Sequence, residues 1–316
     1  MKNKFVRHMF LWGDRMLRKL RQKLLDPVLW KLSSPEELVI IRHKEKHGVY
    51  DHKSEPQSPL VSSVARRKDI FFFSNWPKEL AHDVFMHRKL WEWIYISQAL
   101  SEKGMIQPEK RGLGFAVGNE PLPALFAKFG VKVTASDLDG SNPDSDNWKS
   151  NNECTTSLPQ LERPDFCDND TFYDNVSFMS LDMNKIPEEL RNFDFCWSSC
   201  AFEHLGSVEK GREFVINSLK VLKPGGVAVH TTEYNISSED SIDIPYKAVF
   251  GKNFFDELRD EVIAQGHYFA PLDYRLGNHP DDDHVPMQAS IEDHLKLYVS
   301  GTIATSIGII IVKGES

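Results

Sequence analysis

Long apolar runs are missing from the 316-residue sequence, and no stretch reaches the roughly 20 residues that a spanning helix needs. The opening residues also lack the apolar block and small-residue cleavage site of a signal peptide, so a cytoplasmic protein is expected. Cysteine is scarce. The four thiols, Cys154, Cys167, Cys196 and Cys200, form no CxxC pair, which excludes a secreted disulfide framework and suits a reducing compartment. Cys196 and Cys200 flank an apolar strand end, where packing thiols are commoner than ligands, so no residue is assigned to a metal. Internal repeats are absent too, and the one low-complexity stretch is the polar segment 140–174.

What is present is enough apolar material, 41% of residues, to bury one large α/β domain with an appendage. The division expected is a lead-in, 1–107, and a ligand-binding domain, 108–316. The net charge of −8 conceals an asymmetry: residues 1–32 carry nine Lys/Arg against two acids, leaving 29 against 44 for the rest. An acidic body argues against a nucleic-acid partner, which calls for a broad basic surface. Within the basic arm Phe5, Met9, Trp12, Met16, Leu20 and Leu24 recur at helical spacing, with Arg7, Arg15, Arg18, Arg21 and Lys23 on other faces. Such a helix docks on its own protein or makes peripheral contact with an anionic membrane through residues 1–32.

After an irregular linker, 43–68, apolar spacing predicts a helix over 77–100, ended near Gly104. Strands follow at 112–117, 131–136, 176–181, 193–198, 226–232, 266–272 and 302–312, with helices such as 122–129 and 208–222 between them. Strand, turn, helix, strand is the unit of a parallel sheet, and its repetition gives a doubly wound fold.

The turn Gly114-Phe115-Ala116-Val117-Gly118-Asn119-Glu120 joins strand to helix, where absent side chains let backbone amides approach a ligand. Ala116 replaces the middle glycine of a dinucleotide fingerprint, and Glu120 at the helix mouth repels a pyrophosphate. A carboxylate there suits a cofactor that has no phosphate and carries a positive sulfonium. Asp137, 19 residues after Gly118 and followed by Leu138, abuts the second strand, where it can accept both hydroxyl protons of a ribose; Asp139 is its neighbour and competitor. Asp182 closes the third strand, placed to accept from an adenine amino group, with Met183 packing on the ring. Ser198 and Ser199 end the fourth strand, and Leu222-Lys223-Pro224-Gly225-Gly226 makes a tight turn into the fifth.

The succession Gly114-x-Ala116-x-Gly118, Asp137, Asp182-Met183, Phe193-Asp194-Phe195, Glu203-His204 and Leu222-Lys223-Pro224-Gly225-Gly226 resembles the class I S-adenosylmethionine-dependent methyltransferases over about residues 110–312. The stretch Asp194 to Gly206 together with His230-Thr231-Thr232-Glu233 is similar to a bacterial subgroup associated with glycan and surface-polymer gene clusters. The resemblance implies a Rossmann-like, doubly wound, seven-stranded sheet, mostly parallel with an antiparallel last strand, and S-adenosylmethionine bound at the strands' carboxyl ends. It assigns the cofactor to Gly114, Ala116, Gly118, Glu120, Asp137, Leu138, Asp182, Met183, Ser198 and Ser199. The acceptor it implies is a sugar or glycan-linked hydroxyl; a small metabolite or peptide acceptor, or a noncatalytic adenosyl-binding subunit, are the alternatives.

Methyl transfer from a sulfonium is an in-line displacement, so alignment and exclusion of water do most of the work. A hydroxyl acceptor adds the need for a base. His204, just past the fourth strand, is the first candidate, against a structural role at the following helix; Glu233 is the second. His230 and Glu233 point to opposite faces of their strand, with His230 packed within the sheet, which argues against a shared metal. The cluster His279-Pro280-Asp281-Asp282-Asp283-His284 is read as a solvated loop, with a divalent ion as the alternative. Eleven acids against two bases between Asp137 and Asp182 favour a neutral or cationic acceptor, and the segment 140–174 is expected to help form its pocket.

Overall fold

A computed structural model describes residues 34–50, 60–73, 76, 80, 87–138, 154–245, 247–286 and 293–315. The basic arm and Asp139 lie outside these residues. Within them the chain runs α1 (Pro35–His47), β1 (Ser62–Val64), α2 (Arg67–Phe72), α3 (Arg88–Glu102), β2 (Arg111–Phe115), α4 (Leu122–Lys128) and β3 (Lys132–Asp137). It continues through α5 (Asn169–Asn175), β4 (Val176–Ser180), β5 (Phe193–Ser199), α6 (Val208–Ser218), β6 (Leu222–Asn235), β7 (Ile242–Ile244), β8 (Lys247–Val249) and α7 (Lys252–Ala264). Last come β9 (Tyr268–Phe269), β10 (Leu272–Asp273), α8 (Pro280–Asp283), β11 (Lys296–Val299) and β12 (Thr302–Val312).

The architecture is a mixed α/β, Rossmann-like sheet in the order β10-β1-β12-β6-β5-β2-β3-β4, with β9 and β11 also paired to β12. The five strands from β6 to β4 are mutually parallel, whereas β12 runs antiparallel to β6. The count is therefore ten strands in this sheet, which corrects the expected seven. The additions gather around β12, an 11-residue strand that pairs with β6 and also with β1, β9 and β11, while β10 joins through β1. The expected strand 266–272 is broken by Pro271, which has no N–H to give a ladder: Tyr268–Phe269 pairs with β12 and Leu272–Asp273 with β1. The expected linker 43–68 likewise holds a strand, β1, and the 77–100 helix is described from Arg88 to Glu102.

Alternation along the strands sorts the core into two layers. Phe195 and Trp197 of β5 and Val227 and Val229 of β6 pack with α3 and α4; Cys196, Ala228 and Tyr234 pack on the other face with Phe214 of α6 and Phe255 of α7. Glycines in β2 make this possible. A Cβ on Gly112 would lie 2.3 Å from the Phe195 ring, and one on Gly114 would lie 2.4 Å from the Trp197 ring. Helix α3 is almost wholly buried, from Leu90 to Leu100, with His87 capping its start and Gly104 at φ 67° just beyond its end. Through α3 and β1 the lead-in residues build into the same core and sheet as the rest.

Chain direction reverses between β2 and β5: from β2 the chain moves out through β3 and β4, then returns to β5 on β2's other side. Crevices of ligand-binding α/β folds open at such a switch point, outside the carboxyl ends of the strands.

Candidate active site

At the carboxyl end of β2 the backbone turns through Ala116 at φ 47° and Gly118 at φ 50°. Ala116 thus holds the left-handed conformation that a glycine would take without strain. Gly114, by contrast, is required by Trp197, whose ring fills the space a side chain would need. Glu120 differs from expectation. Its carboxyl is buried, accepts from Trp197 Nε1 at 2.6 Å, and is pushed by burial up to about 8, so the group is largely protonated at neutral pH rather than a fixed negative charge.

Asp137, at the end of β3, is the organising group of this loop. Its Oδ2 accepts from Gly118 N at 3.1 Å and from Thr155 N at 2.9 Å, and its Oδ1 accepts from Leu138 N at 2.8 Å. Burial raises its pKa despite these three amides. The Thr155 hydroxyl also donates to Gly118 O, so the polar segment after β3 is tied onto the turn. Arg163, beside it, donates to the carbonyls of Asn119, Gln160 and Glu162. Leu181 N bonds Asp137 O at 2.8 Å, which sets Asp182 and Met183 next to this carboxylate. Met183 is buried, and Asp182 is partly exposed with Oδ1 accepting from Asn184 N.

The serines of β5 turn elsewhere. Ser198 Oγ meets His230 Nδ1 at 2.9 Å, while Ser199 Oγ donates to Glu92 Oε2 at 3.1 Å, so each hydroxyl has a partner within the protein. His230 is fully buried, bonded also to Ser218 and lowered by burial to about 3, hence neutral. It lies on the α6 face and Glu233 on the α3 face.

Glu233 joins a buried ionic cluster. Its Oε1 lies 3.0 Å from Arg88 Nη2 and 2.6 Å from Lys247 Nζ. Burial alone would raise its pKa, but these two cations bring it below the usual carboxylate value. Such a carboxylate is a weaker base than an unpaired one, and it is held by two cations instead of standing open at the end of its strand. Arg88 Nη1 also meets Glu92 Oε1 at 3.0 Å, Lys89 Nζ lies 3.3 Å from Glu92 Oε2, and Ser306 Oγ donates to Glu92. Burial works to raise the Glu92 pKa, yet Lys89 and Arg88 take it down to about 2.

His204 sits at the rim of this cluster with 20% of its side chain exposed. The chain reaches it through Cys200, held at φ 47°, whose N–H bonds Thr231 O, followed by a short 3-10 turn, Phe202–His204. Sequence reasoning passed over Arg88, Lys89, Glu92, Lys247 and Thr155. The charges on α3 were the available signal, since a Glu inside an apolar helix must find partners when buried.

The cluster His279 to His284 is likewise pinned. Asp282 is buried and accepts from Arg67 N and His279 N, and Asp281 pairs with Arg67, so the carboxylates tie α8 to α2 rather than solvating a loop. Among the described residues no group of three or more His, Cys, Asp or Glu is arranged to hold a metal ion, and no helix is long and apolar enough to cross a membrane.

The donor set at the switch point fits an adenosyl group. Asp137 and Asp182 are acceptors for hydroxyl and amino protons, and Met183 supplies an apolar surface for a ring.

Residues 113–230 match the family model described as a methyltransferase domain. No curated protein matches the chain. Among solved structures the chain is similar to one assigned as a sarcosine dimethylglycine methyltransferase from Galdieria sulphuraria, at 17% identity over 89% of this chain and 99% of that one, with a TM-score of 0.44. It is also similar to the glycopeptide N-methyltransferase MtfA, at 12% identity over 69% and 94% with a TM-score of 0.41. A methyltransferase from Pyrococcus furiosus gives 18% identity over 69% and 82% with a TM-score of 0.35. Likenesses this distant carry no argument about the acceptor. With its methyltransferase domain at residues 113–230, the chain is an S-adenosylmethionine-dependent methyltransferase.

Proposed function

We propose that the enzyme methylates a hydroxyl of a neutral sugar or glycan-linked acceptor, with His204 taking the hydroxyl proton. The observation that carries this is the state of the carboxyl edge beside the switch point. Arg88, Lys89 and Lys247 face Glu92, Glu203 and Glu233 there; three positive charges meet three negative ones, and His204 is a partly exposed imidazole at their rim. A balanced edge offers no surplus cation to a phosphorylated acceptor. S-adenosylmethionine supplies the methyl group and a sulfur leaving group. Asp137 and Leu138 would hold its ribose, Asp182 and Met183 its adenine, and Lys89, 35% exposed and bonded to Ser199 O, its carboxylate. His204 accepts the acceptor's proton as its oxygen forms the new bond to carbon. The likeness of residues 194–206 to the glycan-associated subgroup supports the sugar reading.

A second reading, a noncatalytic adenosyl-binding subunit, is favoured by one observation: Asp137 already accepts three backbone N–H groups, two of them on the same oxygen. Incubating the purified protein with labelled S-adenosylmethionine and fractionated cell extract, followed by mass analysis, separates the two. A methylated carbohydrate is the expected product. Its formation should fall by roughly 10²–10⁴-fold in His204→Ala, the usual reach of a general base. A methylated peptide or amine would overturn the acceptor class, and no product in any fraction would favour the second reading.

Membrane contact by residues 1–32 remains part of this proposal only through the composition of that arm, nine basic residues against two acids. Flotation of the full chain and of a chain lacking those residues with anionic vesicles decides between a membrane and the protein's own surface as its partner.

A further inference from the structure

We propose that Glu203 is the residue that positions and charges His204, forming with it a carboxylate–imidazole pair; this rests on the reading of His204 as the base. Glu203 is fully buried, a place where an ionised carboxylate needs a reason to be. One oxygen has such a reason: Oε2 accepts from Thr232 Oγ1 at 2.8 Å, fixing the side chain against β6. The other, Oε1, is buried and accepts no hydrogen bond, and it lies 4.0 Å from His204 Nε2. An unsatisfied buried carboxylate oxygen is costly, and the cost is relieved when a proton-bearing nitrogen moves onto it.

The local backbone sets up this meeting. Cys200 in the left-handed region turns the chain sharply off β5, and its N–H on Thr231 O holds the turn against β6. The 3-10 turn then carries Glu203 inward, beside Thr232, and His204 outward to the rim. Left-handed backbone at a non-glycine residue is strained and persists where surrounding structure enforces it.

The chemistry follows from which nitrogen faces Glu203. With Nε2 toward the carboxylate, the neutral ring keeps its proton on Nε2 and presents Nδ1 as the base. When the acceptor oxygen bonds to the methyl carbon, the S–C pair returns to sulfur and the acceptor proton passes to Nδ1. The imidazolium so formed is balanced by Glu203 until it loses the proton to water. Another charge also bears on the ring: Glu233 of β6, itself bonded to Arg88 of α3 and Lys247 of β8. Arg88 and Lys89 of α3 bear on Glu203 as well, yet it is Glu203 that brings a buried, unbonded oxygen to 4.0 Å from the ring's Nε2.

The test needs no acceptor. Protein labelled with ¹³Cε1-histidine is titrated by NMR, with His204→Ala identifying the His204 signal. In Glu203→Gln the His204 midpoint should fall by about one pH unit, the low end for losing an opposite charge at this range. Glu203→Asp, which keeps the charge but withdraws the oxygen, should fall between the two and serves if the Gln variant does not fold. Coincident midpoints in wild type and variant would overturn the pairing. The extract assay keeps the two ideas apart: wild-type methylation by His204→Ala removes the base reading while leaving the titration result intact, and an unmoved titration removes Glu203 while leaving His204 as base.

Discussion

Glu120 shows how one side chain can be chosen for charge in the sequence and carry none in the fold. Buried against Trp197, its carboxyl is pushed up to about 8 from the ordinary value of 4.5. Between those values the unfolded chain has released a proton that the folded chain still holds. Folding stability therefore declines as pH rises from about 4.5 to about 8, and levels off above. Glu120→Gln keeps an acceptor for the Trp197 N–H and cannot ionise. The variant should gain stability relative to wild type across that window, by on the order of a few kcal/mol at its upper end. Denaturant unfolding at the two ends of the window checks this, and parallel behaviour of the two proteins would mean that Glu120 is hydrated and ionised. If the sulfonium binds beside it, as the sequence reading has it, cofactor charge would favour its ionised form and so oppose the effect of burial.

At the scale of elements, Asp137 joins β3, the glycine turn and the segment at Thr155 through three backbone amides. Asp137→Ala removes the shared acceptor of all three as well as the proposed ribose partner. Affinity for S-adenosylhomocysteine, measured by calorimetry, should weaken by about one to two factors of ten, on the order of two hydrogen bonds to a charged acceptor. Amide exchange at Gly118 and Thr155 should accelerate with it. Unchanged affinity would place the ribose elsewhere, even if the amides loosened.

Asp137 also marks where the sequence was informative. An acid that directly follows an alternating strand can be read from order alone, and so could β2, β3, β5 and β12, whose apolar runs are long enough to declare a period. The short strands β1, β9 and β10 could not. They have two or three residues each, and what makes them strands is a partner remote in sequence, β12 for β1 and β9 and β1 for β10. The surroundings of Glu233 were hidden for a related reason: its place at the end of β6 was legible, but Arg88 lies 145 positions earlier and gives no local sign of its partner. Gly114 was marked for the approach of a ligand, and the structure supplies a separate cause for a glycine there, the Trp197 ring.

For the molecule as a whole, the tie between lead-in and core passes through Glu92. From the middle of a buried face of α3 it gathers Arg88 and Lys89 on its own helix, Ser199 and Cys200 at the end of β5, and Ser306 on β12. Removing one partner of a buried ionic group leaves the others desolvated and unbalanced, which costs more than the pairing itself contributed. Glu92→Ala should therefore lower unfolding stability by about 3–5 kcal/mol in denaturant titrations, well beyond a surface change. Its pH signature runs opposite to that of Glu120. With a folded pKa brought down to about 2 from the ordinary value of 4.5, the stability Glu92 provides is complete above about 4.5 and is lost as pH falls toward 2. Glu92→Gln, which keeps the volume, should abolish that acid limb while leaving the slope above pH 4.5 in place. A Gln variant as stable as wild type near neutrality, with the acid limb intact, would mean that α3 is held by its apolar face alone and that the charges at the active edge are anchored elsewhere.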